Sequence, residues 1–260
     1  MCARRELSMS AKVSAPGKLI LLGEYGVLQG GAGLVMAVNR YATVAITSEE
    51  KRGILFSAPD IGISHICGSL SRNGTVVWES GVEQSIEKKL KLVSGVLASF
   101  REEFADNGQG WNIQIDTAGL MRGGDGQKMG LGSSAAVSVG LYKALGRVFM
   151  KPAYPLEKQF KILRDIHSEG QGARGSGLDI AASLSGGLTH LRAGEPAIEQ
   201  IENDNLDGLY WCAVYTGHAS STPDLLWGFN QYCKRESVCA NKRISELIEI
   251  SGHGISALKE

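Results

Sequence analysis

Apolar residues recur three to four positions apart over residues 82–104, a spacing that puts Ile86, Leu90, Val93, Leu97 and Phe100 on one face of an amphipathic helix. Lys88, Lys89 and Lys91 fall off that face and read as solvated. Upstream the pattern changes. Residues 34–47 (LVMAVNRYATVAIT) are rich in β-branched side chains and partly alternating, which predicts a strand, and a charged break at 49–52 separates it from short strands at 54–56 and 75–78. Earlier still, Val13 and Ala15 lead into Pro16-Gly17 and the apolar run 18–22, closed by Gly23, which predicts a buried hairpin over 12–27. Residues 111–116 (WNIQID) alternate as a half-buried strand, followed by a glycine-rich stretch at 119–132 and a helix over 134–149. Further helices are predicted at 156–168, 178–184, 223–234 and at the end of the chain, with strands at 188–191 and 209–215. The economical architecture is an antiparallel sheet covered by helices.

Within that pattern the stretch Gly130-Leu-Gly-Ser-Ser-Ala-Ala136 stands directly ahead of a helix. The first N–H groups of a helix have no intrahelical partner, and the dipole makes that end electropositive, so glycines there let a bulky anion approach bare backbone. The hydroxyls of Ser133 and Ser134 could cap the helix or reach a magnesium ion held by phosphates. The run matches neither G-x-x-x-x-G-K-[ST] nor a G-x-G-x-x-G within a βαβ unit. Two other tight loops present charge: Lys18 follows Pro16-Gly17, and Asp179 follows Gly175-Ser-Gly177. Phosphoryl transfer needs such a set, with donors for phosphates, a cation near the reacting oxygens and a carboxylate near the acceptor. Taken singly, each is more simply explained without a site, Lys18 as a surface lysine and Asp179 as an N-cap for the helix after it.

Composition narrows the chemistry. At 260 residues the chain is long enough for one to two domains and an ample core. Lys plus Arg and Asp plus Glu are both 27, so zero net charge argues against nucleic acid or an anionic membrane as partner and makes any anion site local. The cysteines Cys2, Cys67, Cys212, Cys233 and Cys239 lack a C-x-x-C pair and read as reduced thiols of a cytoplasmic protein. No run approaches the roughly 18–20 apolar residues of a membrane span, and the first ten residues lack a signal-peptide core.

Three stretches together, SAPGKLILLGEYGVL (14–28), KMGLGSSAA (128–136) and GSGLDIAASLSGG (175–187), resemble the signatures of the GHMP small-molecule kinases, in the same order. The resemblance implies an α+β protein of GHMP kinase fold. Residues 11–193 would form an N-terminal ATP-binding domain like the second domain of ribosomal protein S5, and 194–260 would open a ferredoxin-like α+β domain. It further implies ATP and Mg2+ as cofactors, Lys18 and Asp179 as the catalytic pair, and Lys128, Gly130, Leu131, Gly132, Ser133, Ser134 and Ala135 around the nucleotide. Ser133, Ser134 and Glu169 are the implied metal contacts, and Glu24, Tyr25, Arg174, Ser176 and Gly177 the implied contacts to a phosphorylated small-molecule acceptor. His167 and His190 are expected to pack or hydrogen-bond within the scaffold. Gly23-Glu-Tyr-Gly-Val-Leu28 and the lysine ahead of the loop resemble the phosphomevalonate kinase branch, with mevalonate kinase or another member the alternative. The family's third motif, K-x-S-G-A-G-G-G-[DC], has no counterpart here, Ser251-Gly-His-Gly254 being too poor a match. That departure predicts a second domain cut short, raises an inactive nucleotide- or metabolite-binding member as a further alternative, and makes a homodimer through a half-built sheet an expected consequence.

Overall fold

The computed structural model describes residues 9–71, 73–123, 126–171, 175–192, 198–202, 210–217 and 222–260. Its organising element is the strand β2 (Ala32–Glu49), which pairs along its length with β1 (Ser10–Leu22). On its other edge β2 pairs first with β7 (Leu188–Arg192) and then with β6 (Gly110–Asp116). Beyond β6 lie β3 (Gly53–Ala58), β4 (Ile63–Leu70) and β5 (Val76–Trp78), and beyond β7 lies β8 (Ile198–Ile201). All pairings are antiparallel except β3 with β6.

The expected hairpin at 12–27 is instead one strand. Pro16-Gly17 makes a register shift against β2, from Pro16 opposite Tyr41 to Gly17 opposite Val38, so the turn signal is absorbed as a bulge. The extra residues, Asn39 and Arg40, lie on β2 opposite the Pro16–Gly17 step, just before Lys18 in β1.

One face of the sheet carries the helices α1 (Gln84–Ala98), α3 (Ser133–Val148), α4 (Leu156–Gln171) and α5 (Leu178–Ser185). The stripe read from the sequence is buried, with Leu90, Val93, Leu97 and Phe100 all in the core. The predicted single helix is broken at Ser99–Phe100, and α2 (Arg101–Asn107) continues it. Phe100 leaves the helical line to pack against Tyr142 and Phe149, at centroid separations of 5.3 and 6.0 Å. Helix α3 lies close over the strands because Gly140 faces Val44, where an added methyl would sit 3.1 Å from Cγ2. Its Ala135, Ala136, Val139, Leu141 and Leu145 are fully buried, and each of the two leucines contributes about 1.5–3 kcal/mol of burial.

After residue 194 the chain is described at 198–202, 210–217 and 222–260. Strand β8 joins the first sheet, residues 210–217 run without a ladder partner in place of the strand predicted at 209–215, and α6 (Thr222–Arg235) and α7 (Ser237–Ala257) follow. Among the described residues there is no second sheet. Helix α7 lies on β2 and packs Ile255 with Ala32, Leu34, Leu188 and Ile201 in a separate small core. Ser251-Gly-His-Gly254 is part of that helix. No helix among the described residues is long and apolar enough to cross a membrane.

Candidate active site

Lys18 is held at the site by its own backbone. Its N–H donates to the carbonyl of Leu131 at 2.8 Å. The neighbouring Gly17 has no room for a side chain, since an added methyl would lie 2.7 Å from both Leu131 O and Leu120 Cδ2. These two contacts dock β1 against the glycine-rich loop, and the Lys18 ammonium donates to Gly130 O at 3.1 Å. Burial pulls the Lys18 pKa below the usual lysine value, while Asp179 and then Glu24 oppose that shift by charge attraction. The Lys18 charge thus feels the attraction of two carboxylates.

The loop enters α3 through two residues with left-handed backbone, Gly130 (φ 77°) and Gly132 (φ 74°). Gly132 is the N-cap residue, and no side chain caps the helix. A methyl there would meet the Lys18 side chain at 2.9 Å (Cγ) and 3.1 Å (Cε), so the site requires glycine for space as well as for backbone angle. The capping role open to the two serines is not taken up. Ser134 Oγ lies 3.0 Å from His167 Nε2 on α4 instead. The same nitrogen lies 3.7 Å from Asp179 Oδ2, and Asp179 Oδ1 accepts from Ile180 N at 2.9 Å. Asp179 sits in the first turn of α5, whose N-cap is Gly177, so it is not the cap. The α3 mouth, Lys18 and Asp179 come together from three distant stretches of chain.

Beside the mouth is a cavity of about 150 Å³, lined by Phe56, Ile63, Val93, Ile115 and Val137 with Ser133 and Ser134 at its edge. Two lysines, Lys89 and Lys128, also line it. The Lys128 pKa is lowered by burial and by the neighbouring Lys89 charge. Lys89 donates to Ile61 O at 2.8 Å, so it is a member of the site rather than of a solvated face. A larger cleft of about 1000 Å³ lies at the other end of α3, against Lys143, Arg147 and Tyr154, and contains none of these groups.

Residues 91–187, which include the loop, His167 and Asp179, match the family model described as GHMP kinases N terminal domain. Over those residues the chain carries a GHMP kinase N-terminal domain. It is 27% identical over 245 residues to a phosphomevalonate kinase of Saccharolobus solfataricus, covering 92% of this chain and 66% of that protein. It is 31% identical over 218 residues to a mevalonate kinase of Thermococcus gammatolerans, covering 84% of this chain and 61% of that protein. The chain therefore spans under two thirds of the length of these curated relatives. The GHMP kinase fold is shared with a Lin0012 protein from Listeria innocua (TM-score 0.76, 23% identity, 96% of this chain and 72% of that one). It is also shared with the Streptococcus pneumoniae phosphomevalonate kinase in complex with phosphomevalonate and AMPPNP (TM-score 0.65, 18% identity, 96% and 76%).

The other GHMP positions named from the sequence fall unevenly around this centre. Glu24 is exposed and close enough to act on the Lys18 charge. Tyr25 adopts φ 60° and stacks its ring on Phe229 of α6 at 4.5 Å. Ser176 Oγ accepts from Leu178 N at 3.3 Å, and Gly177 (φ 84°) lets the turn approach Phe160, where a methyl would sit 2.9 Å from Cζ. Leu131 is half-buried, and Ala135 is fully buried and so can offer the site only backbone. Glu169 is exposed, and a rotation of about 200° along α4 separates it from His167, so it is turned from the Asp179 side of the helix. Arg174 lies outside the described residues. His190 faces Glu199 Oε2 across β7 and β8 at 3.3 Å, as part of the scaffold. His167, buried and hydrogen-bonded as expected, and Lys89 are further groups that the structure brings to this centre. Nothing local distinguishes Lys89 from Lys88 and Lys91; the non-local carbonyl of Ile61 does.

Proposed function

We propose that this chain carries the phosphoryl-transfer centre of an ATP-dependent kinase that converts 5-phosphomevalonate to 5-diphosphomevalonate in isoprenoid precursor synthesis. The observation that carries the proposal is the meeting of an uncapped helix mouth with one cation and one carboxylate at the Lys18–Gly130 and Asp179–His167–Ser134 contacts. The N–H groups of Ser133, Ser134 and Ala135 face the mouth without intrahelical partners and suit phosphate oxygens. The apolar cavity beside them suits a nucleoside base, with Lys89 and Lys128 at hand for its phosphates.

In this scheme the bond between the γ-phosphorus and the β,γ-bridging oxygen breaks, a bond forms to a phosphate oxygen of the acceptor, and ADP leaves with the bonding electrons. The acceptor oxygen is already anionic, so Asp179 need take no proton. Its work is to hold Lys18 and the metal-bound phosphates in register, while Lys18 neutralises charge between donor and acceptor. Magnesium would enter as an ion carried by the triphosphate, and a Ser133 or Ser134 hydroxyl and Asp179 would be the groups to hold it.

The acceptor assignment is supported by Gly23-Glu-Tyr-Gly-Val-Leu28, by Lys128, and by the similarity to the S. solfataricus protein. Mevalonate is the second candidate, because the Thermococcus relative is the more identical of the two. Side-by-side ADP release with phosphomevalonate and with mevalonate decides between them. Faster release with phosphomevalonate is expected, and release with mevalonate alone would overturn the assignment.

A further inference from the structure

The cleft of about 1000 Å³ at the far end of α3 lies apart from the centre described above and has its own chemistry. It opens between the last turns of α3, residues 150–154 and the start of α4, and its volume suits a small organic molecule. Lys143 and Arg147 stand one turn apart on the same face of α3, and both line it. Like charges at that spacing repel, and burial, followed by the Arg147 charge, pulls the Lys143 pKa down. Among the described residues neither cation meets a carboxylate: Lys143 Nζ donates to Leu184 O at 2.9 Å and Arg147 Nη1 to Lys12 O at 3.2 Å. Glu103 is the one carboxylate among the described residues lining the cleft, and Lys151 is already paired with it.

A second observation points the same way. Tyr142 is only 9% exposed and sets its ring edge-on to Phe100, yet it lines the cleft and its hydroxyl has no hydrogen-bond partner among the described residues. Burial, and then the neighbouring Tyr154, push that phenol's pKa up, so it stays a neutral donor. An ammonium, a guanidinium and a phenol thus offer hydrogens to one space. The rim is already formed. Met150 takes left-handed backbone (φ 49°) as Lys151 N donates to Gly146 O at 2.9 Å, and Gln159 Nε2 donates to Tyr154 O at 2.6 Å, tying that residue to α4. Lys158 covers the Tyr154 ring, its ammonium 3.5 Å from the centroid. We propose that this cleft binds a small organic phosphate. Lys143, Arg147 and the Tyr142 hydroxyl hold the phosphate, for which the planar guanidinium is suited, and Phe100, Ile162 and the Tyr154 ring receive its apolar body. The site is separate from phosphoryl transfer at the other end of α3 and does not depend on it.

The test is backbone amide NMR of the 260-residue chain titrated with phenyl phosphate, inorganic phosphate and benzyl alcohol. Saturable shifts over residues 142–159 are expected with phenyl phosphate, weaker binding with inorganic phosphate and none with the alcohol. Arg147→Met should weaken phenyl phosphate by about 10- to 100-fold, the usual worth of a hydrogen bond to a charged group. Tyr142→Phe, which keeps the ring against Phe100, should weaken it by about 2- to 10-fold, as for a neutral hydrogen bond. Lys18→Met, at the opposite end of α3, should leave the affinity as it was. The proposal is overturned if millimolar phenyl phosphate gives no saturable shift there, or if its shifts fall only on residues 130–135 and vanish in Lys18→Met. It is overturned equally by an affinity unchanged in either folded variant, by inorganic phosphate binding as tightly as phenyl phosphate, or by sedimentation showing the cleft closed between two copies of the chain. None of these readings requires turnover, so they stand whether or not the kinase proposal does.

Discussion

Two glycines of the same loop separate backbone strain from active-site geometry. Gly130 and Gly132 have nearly the same φ, 77° and 74°. A β-carbon in left-handed backbone costs about 1–2 kcal/mol, so Gly130→Ala and Gly132→Ala should lose similar stability. For a chain of this size that is roughly 2–8 °C in melting temperature. Their surroundings differ. An added methyl at 130 has nothing within 4 Å, whereas at 132 it lies 2.9 Å from Lys18 Cγ and 3.1 Å from Cε. Contacts of that length force the flexible lysine stem to move. The move costs little folding energy but carries the ammonium away from Gly130 O. A displacement of about 1 Å at a reacting group can lower turnover by about 100-fold. Gly132→Ala should therefore lose about two orders of magnitude more kcat than Gly130→Ala at similar stability, read by coupled ADP release alongside thermal unfolding. Equal kcat in the two variants would show that the Lys18 stem does not set the geometry of transfer.

Lys18→Met should abolish most turnover without loss of folding. Because burial lowers the Lys18 pKa, the unfolded chain holds that proton more tightly. The charged lysine therefore costs stability at neutral pH, and the cost fades as pH rises from the depressed value to the ordinary one. Urea titrations should then show wild type gaining stability relative to Lys18→Met across that alkaline window; a parallel pH dependence would contradict the buried charge. Phe229→Ala removes the stack that covers Tyr25, an interaction of about 0.5–1.5 kcal/mol beyond area burial. Amide exchange across 26–31 should quicken, and unchanged protection there would mean that α6 does not hold the strained Tyr25 turn.

Local signals in the sequence carried far. The helical stripe of 86–100, the alternation at 111–116 and the glycine entry into α3 each depend on neighbours within a turn or two, and each reappears in the fold. What failed was non-local. Pro16-Gly17 carries a turn signal, but the 18-residue β2 offers a partner on both sides of it, and a bulge satisfies the proline better than a reversal would. Strand β4 escaped prediction because its buried positions, Ile63 and Ile66, are three apart rather than two. In the site, Lys18, Asp179 and the loop were legible because small-residue turns flank each one. Their partners were not: His167 looks like any buried histidine until α4 brings it between Ser134 and Asp179.

The meeting of the α3 mouth, Lys18 and Asp179 around a triphosphate is tested most directly by backbone amide NMR of the chain during titration with magnesium and AMPPNP. The largest shifts should fall on Leu131 to Ala135 and Lys18, with smaller ones near Lys89 and Asp179, and Lys18→Met should weaken binding. Shifts confined to the cleft at the far end of α3, or none at millimolar nucleotide, would contradict a phosphate cradle at that helix.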